Sequence, residues 1–98
     1  MKKLSEAQVA ARLEHLDGWT GDDTVIQKEF RFKDFVEAME FVNAVGEKAE
    51  ELKHHPDICI SYNSVVCMVT THEKEGVTEA DFKLAGMIED ANERIVGE

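Results

Sequence analysis

Three of the four histidines of this 98-residue chain belong to one stretch of sequence. His54 and His55 are adjacent and precede Pro56, and His72 follows a β-branched run. Histidine is the side chain whose unperturbed pKa lies nearest to neutral pH, so a cluster of imidazoles is suited to moving protons. The pattern therefore predicts an acid–base site. His15 lies near the end of the first predicted helix, and we interpret it as structural or solvated.

Two β-branched runs, 58–62 and 65–71, are separated by Asn63 and Ser64 only, which predicts a tight hairpin. A two-residue loop at 63 and 64 sets the predicted register as Tyr62 with Val65, Ile60 with Cys67 and Ile58 with Val69. Continued to the open end, this register places His55 opposite His72, with side chains on one face. His54 is expected beside them, where the preceding helix ends.

Two carboxylates are expected at the same place. Glu50 lies one helical turn before His54 on the same side of the predicted helix, so the two can interact. Asp81 follows His72 across a short loop, in the first turn of the last predicted helix, and is expected to reach the pocket. Three imidazoles with one or two carboxylates make a site for general acid–base catalysis.

Other interpretations of these residues stay open. Imidazoles at a helix C-terminus are favoured by the helix dipole, and Asp81 could serve only as a helix cap. Three histidines could also bind zinc. Adjacent histidines rarely both ligate one metal, however, and cysteine ligands at useful spacing are missing. The spacing therefore favours the acid–base site over a metal site.

Capping signals and apolar periodicity predict the elements that must position these residues. The first helix begins near Ser5, which forms a capping-box pattern with Gln8. Trp19 opens a short strand, and 24–32 alternates as the next strand. Its core-facing residues are predicted to be Ile26, Phe30 and Phe32.

A long helix is predicted from the cap at Asp34 to about His54, because Pro56 disfavours helical geometry at His55. Its predicted apolar face consists of Phe35, Met39, Val42, Gly46, Ala49 and Leu52. The last helix begins at the cap Thr78. The order helix, hairpin, helix, hairpin, helix predicts one α+β domain over 1–98, a four-stranded antiparallel sheet with three helices packed on one face.

Charge and composition exclude several classes of function. The formal net charge is −10 with no basic stripe, which argues against nucleic-acid and anionic-lipid partners. No apolar run is long enough to span a membrane, and the N-terminus lacks a secretory signal, so a cytoplasmic location is expected. Cys59 and Cys67 would lie on opposite faces of the hairpin, which disfavours a disulfide. A chain this small gains burial by dimerising.

The spacing of the site residues resembles the signature of the pterin-4a-carbinolamine dehydratases. The pattern is E-x-x-x-H-H-P, five residues, an aromatic, nine residues, H, eight residues and D. Its members here are Glu50, His54, His55, Pro56, Tyr62, His72 and Asp81. The pair Gly18-Trp19, the triplet 71–73, Gly76 and the pair 84–85 are also typical of the family, so the resemblance covers essentially the whole chain.

The resemblance implies removal of water from a 4a-hydroxytetrahydropterin to give quinonoid dihydropterin, in tetrahydropterin recycling after an aromatic amino acid hydroxylase. It implies a homodimer and no metal or organic cofactor. His54 and His72 would handle the protons and His55 would hold the pterin. Glu50 would orient a histidine, and Asp81 would hold the His72 side of the site. The substrate pocket would be lined by Thr70, Thr71 and Glu73.

Two alternatives accompany the resemblance. Animal relatives also act as dimerisation cofactors of a transcription factor, so a non-catalytic, protein-binding role is one. A pterin-binding paralogue linked to molybdopterin metabolism is the other.

Overall fold

The computed structural model describes residues 2–97, which form three α-helices and a four-stranded antiparallel sheet. The elements in chain order are α1 (Glu6–Leu13), β1 (Thr20–Gly21), β2 (Ile26–Arg31), α2 (Phe35–Leu52), β3 (Asp57–Ser61), β4 (Ser64–Val69) and α3 (Glu79–Val96). The strand order across the sheet is β1-β2-β4-β3, so β1 and β3 are the edges. The predicted α+β class is confirmed. Among the described residues, no helix combines the length and the apolar character needed to cross a bilayer.

The predicted helix starts are confirmed because local side chains satisfy the first free N–H groups. Ser5 and Gln8 form a reciprocal capping box at α1, and Asp34 accepts a hydrogen bond from the backbone N–H of Glu37 at α2. Thr78 and Asp81 form a second capping box at α3. Asp81 therefore takes part in the cap of α3.

One face of the sheet is covered by α2 and α3, and the core lies between them. The buried residues of this face are Ile26, Phe30, Val65, Cys67 and Val69. The alternation predicted for β2 is thus confirmed. Glu89 anchors α3 to the sheet, because its Oε2 accepts hydrogen bonds from Lys28 Nζ at 2.7 Å and Trp19 Nε1 at 2.8 Å. This anchor holds the helix that carries Asp81.

The predicted apolar face of α2 is confirmed in part, because Ala49 is buried and Val42 and Leu52 are half-buried against the core. The rest of the buried face lies about one residue further round the helix. The helix buries Ala38, Phe41, Ala44, Val45 and Ala49, whereas the predicted Phe35 is 48% exposed. The reason is aromatic packing: the Phe41 ring lies 4.8 Å from the ring of Phe30 and 4.9 Å from that of Phe32. These aromatic contacts stabilise the observed rotation of α2 more than burial of the apolar residues predicted from the sequence would.

The predicted hairpin register was also wrong, by two residues. Ile60 pairs with Val65 and Ile58 with Cys67, and the loop consists of Tyr62 and Asn63, with φ 51° at Tyr62. Asn63 is bonded to Phe32, the residue that follows β2: its Nδ2 donates to the Phe32 carbonyl at 3.0 Å, and its own carbonyl accepts the Phe32 N–H. A two-residue shift keeps every side chain on its predicted face.

The cysteine prediction therefore survives the shift. Cys67 is buried on the helix-covered face of the sheet, and Cys59 is exposed on the other. Both are free thiols.

Candidate active site

The three clustered histidines line one pocket of about 190 Å³ at the end of α2 and the end of β4. Its lining residues are Lys53, His54, His55, Thr70, Thr71, His72 and Glu73. The pocket therefore includes six of the eight residues predicted for the site, and the other two, Glu50 and Asp81, are hydrogen-bonded to its histidines. Direct pairing of His55 with His72 was wrong, because the strand ladder ends at Asp57 and Met68.

A larger groove of about 350 Å³ runs between α2 and α3. Its walls are Ala44, Glu47, Lys48, Glu51, Asp90, Ala91 and Arg94, with charges of both signs and no histidine. These ionic side chains lie at the solvent-facing side of the helix pair, and none of them is buried. The smaller pocket is the better candidate because it combines imidazoles with buried polar groups.

The end of α2 delivers His54 to the pocket. Lys53 adopts a left-handed conformation with φ 58°, the Lys53 N–H donates to Glu50 O, and the His54 N–H donates to Ala49 O. These two bonds form a Schellman motif, which stops a helix and turns the chain sharply. His54 is the first residue beyond that turn, so its position is fixed by the helix end.

His54 is held by a buried carboxylate. Its Nε2 lies 2.5 Å from Oδ1 of Asp81, whose side chain is fully buried. The other oxygen, Oδ2, accepts the Thr71 hydroxyl at 2.7 Å and the Thr78 backbone N–H at 2.8 Å. Asp81 was expected on the His72 side of the site, and this was wrong: it binds His54. It is thus both the cap of α3 and the partner of an imidazole.

His55 has its own carboxylate partner in water. Its Nε2 lies 2.6 Å from Oε2 of Glu50, and the two side chains are 62% and 79% exposed. The predicted contact of Glu50 with His54 was wrong, because the left-handed turn at Lys53 takes His54 off the helical path. One-turn spacing on a helix no longer applies beyond that residue.

His72 begins a short loop directly after β4. A bridge between Thr71 and Gly76 closes the loop, and His72–Lys74 forms one turn of 3₁₀-helix. Gly76 has no room for a side chain, because a Cβ atom there would lie 2.5 Å from the Asp23 carbonyl oxygen. The His72 ring is exposed and makes no hydrogen bond or ion pair within residues 2–97. Of the three pocket imidazoles it is the one without a carboxylate partner in this part of the chain.

The hydroxyls of the two threonines in the lining are already engaged in hydrogen bonds. Thr70 Oγ1 donates to the Thr24 carbonyl at 2.6 Å, and the Thr71 hydroxyl is committed to Asp81. Glu73 is exposed at the rim. Two residues of the site were not predicted for it. Lys53 could have been suspected from its place beside the histidines, and Thr78 was recognised only as a cap.

No group of three or more His, Cys, Asp and Glu side chains in the stretch 2–97 is arranged so that it could hold a metal ion. What the pocket does assemble is one immobilised imidazole, one paired with a solvated carboxylate, and one unrestrained. Such a set can accept a proton at one atom while donating at another.

Comparison with known proteins finds a family that matches most of the chain. The family model for pterin 4 alpha carbinolamine dehydratase matches residues 2–91. A relative from Sulfolobus acidocaldarius, provisionally named pterin-4-alpha-carbinolamine dehydratase, is 44% identical over 88% of this chain and 94% of its own. One from Thermomicrobium roseum with the same provisional name is 47% identical over 87% and 91%.

Solved structures agree with this result. The crystal structure of a transcriptional coactivator/pterin dehydratase from Brucella melitensis superposes with a TM-score of 0.88 at 35% identity, covering 93% of this chain and 99% of that one. A pterin dehydratase-like RuBisCO assembly factor of the alpha-carboxysome has a TM-score of 0.63 at 20% identity, covering 76% and 86%, and shares the fold. This chain belongs to the pterin 4 alpha carbinolamine dehydratase family.

Proposed function

We propose that this protein dehydrates a 4a-hydroxytetrahydropterin to the quinonoid dihydropterin by histidine acid–base catalysis. The observation that carries the proposal is the pocket in which His54, His55 and His72 meet, with His54 bonded to the fully buried Asp81. The provisional names of relatives at 44% and 47% identity support the same activity. The substrate would come from an aromatic amino acid hydroxylase, and recycling of tetrahydropterin would consume the product.

The reaction needs two proton movements on one bicyclic ring. The bond between C4a and the hydroxyl oxygen breaks, a proton joins that oxygen, and water leaves. The lone pair of the neighbouring ring nitrogen forms a C=N double bond, and the N–H proton is lost from that nitrogen. The acid therefore loses one proton and the base gains one in each turnover. Atoms and charges balance without a metal or an organic cofactor.

The three histidines divide this work according to their freedom. His54 is held by Asp81 and is suited to one of the two proton transfers, in which the direction of the imidazole must be defined. His72, which has no such partner, carries out the other proton transfer. His55 holds the pterin at the rim with its partner Glu50, and Glu73, which lines the same pocket, accepts from ring N–H groups. Thr70 and Thr71 supply the pocket wall.

The test is the dehydration of a chemically generated 4a-hydroxytetrahydropterin, followed by absorbance. We expect clear acceleration by the wild-type protein and a loss of about 10²–10⁴-fold in His72→Ala. The matched control is His15→Ala, which removes an exposed histidine outside the pocket and should leave the rate unchanged. A folded wild-type protein that gives no acceleration over buffer would contradict the proposal.

A second candidate function is protein binding without catalysis. The Brucella melitensis protein is described as a coactivator as well as a dehydratase, and it is 35% identical to this chain. The same assay separates the two candidates. If His72→Ala and wild type are equally inactive while the protein is folded, the scaffold role becomes the better account.

We also propose that the protein works as a homodimer. The edge strand β3 has unpaired backbone groups along one side, and Ile60 on it is 40% exposed. Exposed edges of this kind favour pairing with another strand. Light scattering coupled to size exclusion should give twice the chain mass, and Ile60→Lys should reduce it. A monomeric wild-type protein contradicts this proposal without affecting the dehydratase one.

A further inference from the structure

The two capping boxes of this protein use the same motif in different surroundings. At α1, Ser5 Oγ accepts the Gln8 N–H at 3.1 Å and Gln8 Oε1 accepts the Ser5 N–H at 2.8 Å, both in water. At α3, the reciprocal acceptor is Asp81 and the cap is Thr78, and both are fully buried. The α3 box also connects to an imidazole, whereas the α1 box ends at solvent.

The direction of each hydrogen bond in the α3 box follows from the number of protons available. Oδ2 of Asp81 lies 2.7 Å from Thr71 Oγ1, and a carboxylate oxygen only accepts, so the Thr71 hydroxyl donates to it. That hydroxyl has no second proton. The 2.8 Å contact between Thr71 Oγ1 and Thr78 Oγ1 is therefore donated by Thr78. Thr78 Oγ1 in turn accepts the Ala80 N–H at 3.2 Å.

The chain of hydroxyls determines which oxygen of Asp81 is left for the histidine. Two donors occupy Oδ2, from the Thr71 hydroxyl and the Thr78 backbone. Oδ1 is then the oxygen available to His54, and its Nε2 is the donor at 2.5 Å. Within residues 2–97 the ring nitrogen Nδ1 of His54 makes no hydrogen bond, so Nδ1 is the atom left to take or give a proton.

We propose that the hydroxyl pair of Thr78 and Thr71 is a positioning device that orients Asp81 and so fixes the proton of His54 on Nε2, leaving Nδ1 as its working nitrogen. Thr71 is then a residue that acts through Asp81 and does not bind substrate with its hydroxyl. The catalytic part of this statement rests on the proposed dehydratase function. The hydrogen-bonding part does not.

The experiment follows the Nε2 proton of His54 by nitrogen-15 edited NMR, together with steady-state kinetics, in Thr71→Val and Thr71→Ser. Valine keeps the shape and removes the hydroxyl, and Thr71 does not itself cap α3. In the wild-type protein we expect a downfield, slowly exchanging proton. In Thr71→Val its exchange should accelerate by about tenfold or more, since a hydrogen bond to a charged group is lost. Thr71→Ser should restore the wild-type signal.

The kinetic expectation is a fall in kcat of about tenfold in Thr71→Val with KM within about twofold, the signature of a lost transition-state arrangement with unchanged binding. The control is Ser5→Ala, which removes the equivalent cap of α1 and should alter neither readout.

A Thr71→Val protein whose Nε2 proton exchanges like that of wild type overturns the inference. Because the NMR measurement needs no turnover, it decides the matter even if the dehydration assay is negative. An unchanged proton with reduced kcat would mean that the Thr71 hydroxyl contacts substrate after all.

Discussion

His54 and His55 are neighbours in the chain, and each is hydrogen-bonded through Nε2 to a carboxylate at almost the same distance. The partners lie at 2.5 Å and 2.6 Å, but the Asp81 side chain is 0% exposed and that of Glu50 is 79% exposed. Water competes for every donor and acceptor of the exposed pair, whereas three protein donors share the buried carboxylate. The two distances therefore do not tell which histidine is held more firmly, whereas the difference in burial does.

The two cysteines repeat the contrast on the sheet. Cys59 and Cys67 lie on neighbouring strands, yet Cys67 is fully buried beneath the helices and Cys59 faces solvent. Burial, with a smaller contribution from the charge of Glu89, raises the pKa of the Cys67 thiol to about 12 from its usual 9.0. The helix-covered face of the sheet thus changes the acidity of the thiol buried in it, whereas the thiol on the other face is in contact with water.

The largest expected effect comes from changing each carboxylate to its amide. Asp81→Asn replaces one carboxylate oxygen by an NH2 group, which must face either the donor nitrogen of His54 or the two donors at Oδ2. Either way the arrangement that fixes His54 is disrupted, so we expect kcat for dehydration to fall at least about 10²-fold. Glu50→Gln should change kcat by less than about fivefold, because an exposed pair is worth about 1 kcal/mol or less.

Both variants should be compared at equal folded fraction, checked by circular dichroism, because Asp81 also caps α3. Equal losses in the two would mean that burial is not what separates the histidines.

A second prediction tests burial through the pH dependence of stability. A folded thiol with a raised pKa keeps its proton while the unfolded thiol loses it, so above about pH 9 the unfolded state binds fewer protons. The Cys67 contribution to the free energy of unfolding should then fall by about 1.4 kcal/mol per pH unit between about pH 9 and pH 12.

Urea unfolding of wild type and Cys67→Ala at several pH values measures this contribution as the difference between the two slopes. Cys59→Ala serves as the exposed control and should track the wild type. Parallel curves for wild type and Cys67→Ala would show that the buried thiol ionises as freely as an exposed one.

The fold was predictable where the signal is local. Ser5, Asp34 and Thr78 each satisfy free N–H groups within three residues, and all three were identified from spacing alone. The face of each β2 residue was equally clear, because strand side chains alternate. The register of the β3–β4 hairpin was not, since the loop residue Asn63 bonds to Phe32, which follows β2 and is 31 residues away in the chain.

The site was predictable as a set of residues and not as a set of contacts. His54, His55 and His72 share the pocket as expected, but each carboxylate was assigned to the wrong histidine. For Glu50 the cause is a single backbone angle: the left-handed Lys53 redirects the chain just before His54, and lysine gives no sign of that conformation. Sequence spacing can place residues near a helix end, but the turn beyond the cap decides which side chains meet.

The smallest expected effect is the coupling of His55 with Glu50. In a double-mutant cycle built from His55→Ala, Glu50→Ala and the double variant, urea unfolding should give a coupling free energy of about 0.5 kcal/mol, declining further in 1 M salt. A coupling above about 2 kcal/mol would mean that this pair is shielded from water in solution. Both side chains are largely exposed in the single chain, so that shielding would have to come from a second molecule. Repeating the cycle at several protein concentrations would reveal it, because the coupling free energy then increases as association increases.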